Sequence, residues 1–338
     1  MSHRPAHLAR PARTAALVVA AGSLLLTAAC GSEASSTASA PAGEEPATRT
    51  VTHSAGTTEV PGDPQRIVTT TDQNALLPLL ELGVEPVGSA GLLNPDGSTL
   101  FRRTEGFDTS GVEFTGPYGE PNLEKVASLA PDLVVGYEFD ADYYDDLASL
   151  APTVLVQIFD RPLTEALEQF AEVVGREEQA AELRAAYDAR IADLQEQLGD
   201  RLGTLSVSVV SAGDPGTFYR ADVGQAMGTV VEDLGLTLVE AQAADSGDDA
   251  NSLEHLTSRD ADVVLLVDYS GEQSEPDPGT QAILDSPLWD RLAAVRADQA
   301  HFVDGTQVVG AAWARMDAFL DVLEEHLLEA DDAVVDEG

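Results

Sequence analysis

The chain has 338 residues, of which 59 are Asp or Glu and 18 are Lys or Arg, giving a formal net charge of −41. A field of that sign repels phosphate backbones and anionic head groups, which excludes nucleic acid and anionic lipid surfaces as partners. The acids are spread along the chain and 43% of the residues are hydrophobic, so the charge reads as the hydrated surface of an ordinary globular body.

Arg4, Arg10 and Arg13 precede an uncharged run from Ala15 to Ala29, the pattern of a basic region followed by an apolar one. The run is shorter than the ~20 residues that span a bilayer as a helix, so residues 1–29 read as a removed signal peptide. Leu26, Thr27, Ala28 and Ala29 lead into Cys30, the only cysteine, which has no partner for an intrachain disulfide. These residues resemble the lipobox of bacterial lipoproteins, in which the peptide is cut before the cysteine and the cysteine is acylated. Residues 30–49 are small, polar and Pro-containing, the composition of a flexible tether. The expected mature protein is extracytoplasmic, anchored through Cys30 to the outer face of the cell membrane and touching it by that anchor only.

A first α/β lobe is expected over residues 50–162. Arg66 opens a strand, Asn74 opens a helix stopped by Gly83, and Val84–Gly88 returns to strand, a β-α-β unit. A polar loop from Ser89 to Glu120 follows, longer than a mere connection needs. Then come a short helix and strand, a helix over Tyr143–Leu150 and the strand from Thr153. Residues 163–200 turn helical, and Leu183, Tyr187, Ile191, Leu194 and Leu198 fall on one face of a long helix. Its place between the lobes makes it the strut that joins them.

The second lobe is expected over residues 201–328, with a strand from Leu205, a helix from Gly224, a strand from Leu236 and a terminal helix from Ala311 to Leu328. A Pro- and acid-rich loop runs from Ser270 to Gly279, and residues 329–338 form an acidic tail. One segment of each lobe matches the other: NLEKVASLAPDLVV from Asn122 and SLEHLTSRDADVVL from Ser252. Each reads as a short amphipathic helix, a polar turn and a β-branched strand that begins after an Asp. Two such copies predict a fold of two similar α/β lobes joined by one long helix, with a ligand cleft between them. The match also places Glu124 and Glu254 at one position in both lobes.

Taken together, GEPNLEKVASLAPDLVVG, SLEHLTSRDADVVLLV and SPLWDRLAAVRADQAHFVDG resemble the substrate-binding proteins of bacterial ABC importers for ferric siderophores and cobalamin. The resemblance covers about residues 50–328. It implies a protein that captures a small-molecule iron chelate, here expected to be a ferric siderophore, and delivers it to the membrane permease of the importer; the chain is expected to be a monomer. It also implies that Glu124 and Glu254 pair with arginines of that permease. Charge pairs at a rim suit a partner that must bind and release. A carboxylate at either position also stabilises its own helix N-terminus.

Ligands of parallel α/β sheets sit beyond the carboxyl ends of the strands. That rule selects Tyr137, Tyr219 with Arg220, and Tyr269. The long first-lobe loop adds Arg102, Arg103 and Tyr118, and the start of the last helix adds Trp313 and Arg315. In the resembled family, aromatics at the Tyr118 and Tyr137 positions face the ligand, and Arg220 and Trp313 sit where members present ligand-facing side chains. Aromatic faces cover the apolar rim of a chelate, and guanidinium groups pair with its charged oxygens. Cobalamin and heme are the alternative ligands, and Tyr137, Tyr219 or Tyr269 could serve a heme iron.

Direct metal binding is not expected, because His53, His255, His301 and His326 lack ligand spacing. The run Asp140, Asp142, Asp145, Asp146 lacks the Gly and terminal Glu of a calcium loop and reads as a solvated helix start. The chain carries no G-x-S-x-G, H-E-x-x-H, Walker loop or G-x-G-x-x-G after a strand, so neither an enzyme nor a cofactor is expected. The rival readings are a lipid-anchored hydrolase with an unrecognised site and a structural envelope lipoprotein.

Overall fold

The computed structural model describes residues 47–220, 226–239, 251–270 and 275–330, with the side chain of Arg220 outside that set. Chain order begins with a hairpin, β1 (Thr48–His53) and β2 (Gly56–Pro61), paired antiparallel. The strand therefore starts inside the segment expected to be tether, whose residues before Ala47 lie outside the described ones. His53 is buried against Leu155 and Tyr144, and burial holds its imidazole below the ordinary value.

The first sheet contains β3 (Ile67–Thr69), β4 (Gly88–Leu93), β5 (Thr99–Leu100), β6 (Glu113–Pro117), β7 (Leu133–Tyr137) and β8 (Thr153–Val156). Its order is β5-β4-β3-β7-β8, with β6 also on β4 and only β5 antiparallel. The structure departs from the sequence expectation at two places in this sheet. The strand placed at Val84–Gly88 runs instead over Gly88–Leu93, and the loop from Ser89 to Glu120 contains β5, β6 and most of β4. These strands are short and rich in Gly, Ser and Thr, so they carry little alternation of apolar and polar residues. The first-lobe helices are α1 (Leu77–Glu81), entered through a π-helical turn at Asp72–Leu76, then α2 (Leu123–Ser128) and α3 (Tyr144–Ala148).

The segment between the lobes is two helices, α4 (Leu163–Val174) and α5 (Glu177–Leu198). Gly175 takes a left-handed φ of 69° that ends α4, as glycine does most easily. The predicted apolar face lies on the longer helix: Tyr187, Ile191, Leu194 and Leu198 are buried there.

The second sheet holds β9 (Ser206–Ala212), β10 (Thr217–Arg220), β11 (Thr237–Leu238), β12 (Asn251–Ser252), β13 (Val263–Asp268) and β14 (Ala300–Asp304). Its order is β12-β10-β9-β13-β14, with β11 also on β9. The second-lobe helices are α6 (Ala226–Leu234), α7 (Pro278–Leu284), α8 (Ala293–Arg296), α9 (Gly305–Val308) and α10 (Trp313–Glu329). The residues expected to extend β11 past Val239 and to complete the loop after Ser270 lie partly outside the described residues.

The lobes share a parallel unit, β4-β3-β7-β8 in one and β11-β9-β13-β14 in the other. Strands β3, β7, β8 and β13 of this unit are buried along almost their whole length because both faces are covered. In β7, Leu133 and Val135 join one continuous core with α4, α5, α6 and α10, while Val134 faces α2 and α3. In β13, Val263, Leu265 and Val267 join the same central core, and Val264 and Leu266 face the outer layer with Leu256 and Leu292.

The repeated Asp has one role in both lobes. Asp132 accepts the backbone N–H of Gln65 at 2.8 Å and of Arg66 at 2.9 Å, where β3 begins. Asp262 accepts the backbone N–H of Ser206 at 2.8 Å and its hydroxyl at 2.7 Å, where β9 begins. Each Asp thus fixes the register between the repeat strand and its parallel neighbour.

Candidate ligand-binding site

A cavity of about 220 Å³ lies between the lobes. The first lobe supplies Gln73, Asn74, Ile158 and Phe159; the second supplies Met227, Tyr269 and Val308 through Ala311. Apart from Met227 on α6, these residues follow the carboxyl ends of β3, β8, β13 and β14, where an open parallel sheet leaves a crevice.

On the first lobe an aromatic cluster leads into the cavity. Phe139 and Phe159 stack with centroids 5.1 Å apart and planes at 9°, and Tyr137 meets Phe139 edge-on at 5.3 Å. Phe139 is 56% exposed and forms, with Tyr137 and Phe159, a contiguous aromatic patch of the kind that lines ligand-binding grooves. Glu138 holds the cluster in place, since one carboxylate oxygen accepts the N–H groups of Ile158 at 2.9 Å and Phe159 at 2.7 Å. Burial, and then Asp140 and Glu138, push the Tyr137 hydroxyl up to about 12, so it is a neutral donor at physiological pH. Asp140 is buried and accepts from the Thr70 hydroxyl at 2.5 Å and from Tyr137 N–H at 3.1 Å. The expectation of a solvated acidic run therefore fails at Asp140: the strand end needs an acceptor there. Asp142, Asp145 and Asp146 are exposed.

The two arginines of the first-lobe loop have different tasks. Asp72, fully buried, accepts the Arg102 backbone N–H at 2.8 Å, Nε at 2.9 Å and Nη2 at 2.7 Å. Burial works against the Arg102 charge, but Asp72 outweighs it and holds the guanidinium above its ordinary value. Its outer face stacks on Tyr118 at 4.1 Å, leaving that ring 45% exposed. Arg102 is thus spent on the fold, and Tyr118 is the surface it presents.

Arg103 has no such partner. Its φ is +65°, a region that residues with a Cβ seldom adopt. Its buried Nε meets no acceptor among the described residues. Burial lowers its guanidinium, Arg102 and Arg315 lower it further, and Glu105 and Tyr269 oppose them. A desolvated cation with an open donor is a place for an anionic oxygen.

Arg315 crosses the cleft instead of opening into it. From α10 it donates to the carbonyl of Gln307 at 3.0 Å and the carbonyl of Arg103 at 2.5 Å, and it pairs with Glu105 at 3.4 Å. Tyr269 lines the cavity with 40% of its surface exposed, and burial raises its hydroxyl against the opposing influence of Ser211 and Arg103. Tyr219 is also 40% exposed, with its ring against Gly213, but it does not line the cavity. Arg220 ends β10, and its side chain lies outside the described residues.

Trp313, expected at the ligand, is 2% exposed and packs on Tyr187 of α5 with centroids 5.6 Å apart. Residues two apart on a helix point to opposite sides, so Arg315 reaches the cleft and Trp313 the core. Phe139, Phe159 and Asp72 were not selected from the sequence. Phe159 follows strand β8 and would have been found by the same strand-end rule.

Glu124 and Glu254 are both exposed, in the first turns of α2 and of the 3-10 helix over Leu253–Arg259. Lys125, beside Glu124, pairs with Glu113. Among the described residues no group of three His, Cys, Asp or Glu side chains could hold a metal ion.

Comparison with known proteins agrees with this architecture. The chain is 30% identical over 292 residues to the probable siderophore-binding lipoprotein YfiY of Bacillus subtilis, covering 83% of this chain and 87% of that one. Its fold is similar to Staphylococcus aureus SirA complexed with staphyloferrin B, with TM-score 0.69, 26% identity, and 83% and 98% of the two chains covered. It is also similar to the siderophore periplasmic binding protein from the fuscachelin gene cluster of Thermobifida fusca, with TM-score 0.60, 28% identity, and 79% and 98% covered. The family described as periplasmic binding protein matches residues 103–305, and its members are substrate-binding transport proteins, not enzymes. Two matched α/β lobes, an interlobe cleft and this similarity lead to one conclusion: the chain belongs to the periplasmic binding protein family.

Proposed function

We propose that this chain captures a ferric siderophore between its lobes and delivers it to the permease of an ABC importer. The observation that carries the reading is an interlobe cavity faced by Phe159 and Tyr269 from opposite lobes, with the desolvated guanidinium of Arg103 close enough to Tyr269 for the two to interact electrostatically. Similarity to YfiY, named as siderophore-binding, supports it. In this reading Arg103 meets the charged oxygens of the chelate. Tyr118, Tyr137, Phe139, Phe159 and Tyr269 cover its apolar rim, and Tyr219 and Arg220 extend the second-lobe edge. Arg102 and Arg315 hold Arg103 and Tyr118 in place.

Cys30 carries the lipid and the residues between it and β1 serve as the tether, so capture takes place at the outer face of the membrane. Glu124 and Glu254 dock on permease arginines, one from each lobe.

The test is tryptophan fluorescence against ferric hydroxamates, ferric catecholates, ferric citrate, cobalamin and heme. Saturable quenching by a ferric chelate, weakened by Arg103→Met, is the expected result. Tight binding of cobalamin or heme with no response to any ferric chelate would overturn the reading. Glu124→Ala and Glu254→Ala should leave chelate affinity unchanged while uptake by cells falls, and undiminished uptake would remove the docking assignment.

A further inference from the structure

The terminal helix α10 begins without a cap of its own. Ala312 stands at its N-cap position with extended backbone and no side-chain acceptor. The first turn is satisfied from the other lobe: Glu81, at the end of α1, accepts Trp313 N–H at 2.8 Å on one carboxylate oxygen and Ala314 N–H at 2.7 Å on the other. A carboxylate at that place meets both the orphan N–H groups and the positive end of the helix.

The contact belongs to a seam. Ala311 N–H donates to the Gln73 carbonyl at 2.9 Å, and Arg315 donates to the Arg103 carbonyl. Gly310, at φ +126°, lies where an added Cβ would come within 3.0 Å of Leu77. The residue that Arg315 holds is Arg103, the left-handed position beside the cleft. Glu81 is half-buried, and burial, with Asp317 adding to it, pushes its carboxyl up to about 7 against the two N–H bonds and Arg315. A side chain kept there at that cost has a reason to be there.

We infer that Glu81 is an interlobe positioning residue: by capping α10 from the first lobe it fixes the angle between the lobes and seats Arg315 on Arg103. The geometry stands apart from the identity of the ligand. A helix cap supplied from across a domain boundary does two separable things, since it stabilises the helix and it ties the lobes together.

The experiment separates them. Cysteines replace Ser128 and Ser258, exposed and matched positions of the repeat, in a chain carrying Cys30→Ser, and spin labels on them report the interlobe distance without ligand. Glu81→Gln leaves one N–H facing an amide NH2 group, and the distance distribution is expected to broaden. Adding Ala312→Ser supplies a hydroxyl cap within α10, which is expected to restore the melting temperature and leave the distribution broad. The affinity of whichever ferric chelate binds the unaltered chain should fall about tenfold in both variants, as for one lost hydrogen bond to a charged group. A distribution that stays narrow in Glu81→Gln, or that Ala312→Ser narrows again, would overturn the inference. If no chelate binds the unaltered chain, the siderophore reading falls and the distance measurement still decides this one.

Discussion

Asp132 and Asp262 occupy the same place in the two lobes, each bonding the chain that opens the adjacent parallel strand, yet the helices before them differ. The first copy is an α-helix whose Asn122 side chain accepts Lys125 N–H at 3.0 Å, and it leaves through Ala130 at φ +44°. The second is a 3-10 helix, with no side-chain cap from Ser252. It sets the buried Arg259 against the carbonyl of Val239 and sends Asp260 to accept the N–H of Ala293 at the start of α8. What is shared fixes strand register in the core, and what differs lies in the outer layer, where each lobe packs different neighbours. The exposed Glu of the first turn survives both solutions, so its retention is independent of the helix type that carries it.

The largest effect should come from the shared aspartates. Asp262→Ala leaves two donors of Ser206 without an acceptor in a buried place, and urea unfolding should show a loss of about 2–3 kcal/mol. Asp132→Ala, closer to solvent, should lose about 1–2 kcal/mol. No loss from either would break the claim that this tie sets the register in both lobes.

The carboxyl ends of the two repeat strands sharpen the contrast through pH. Burial raises Asp140, whereas Ser270, Thr280 and the N–H of Asp277 overcome burial and lower Asp268. Asp268 therefore contributes stability above its unfolded value of 3.8 and loses it as pH falls through its lower folded value. Asp140 contributes most below 3.8 and loses that contribution as pH rises through its folded value. Against pH-independent Asn variants, the Asp268→Asn deficit should be about 1–2 kcal/mol at neutral pH and close in acid. The Asp140→Asn difference should grow in acid. Parallel curves would mean that the two strand ends are alike after all.

The smallest effect tests the helices themselves. Asn122→Ala should lower the unfolding free energy by about 0.5–1 kcal/mol, and Ser252→Ala by no more than a few tenths. Equal losses would show that the second helix does use its Ser as a cap.

Much of this was legible because parallel strands buried on both faces read as nearly unbroken apolar runs; β7, β8 and β13 announce themselves that way. The strands β4, β5 and β6 do not, since their Gly, Ser and Thr residues are placed by pairing and not by an apolar pattern. Strand ends led to Tyr137 and Tyr269. Helical geometry could have divided Trp313 from Arg315, two positions apart. The pairing of Asp72 with Arg102 was out of reach, because residues thirty positions apart are joined only once the sheet is built. Glu81 was hidden for the same reason, its partners lying on the last helix.

Lys125 is the only lysine of the chain, and it stands beside Glu124 with 38% of its side chain exposed. Amine-reactive crosslinkers consequently have a single lysine side chain to attach to, and it lies on the face assigned to the permease. A crosslink formed from that amine would name the neighbouring subunit and the contact point in one peptide.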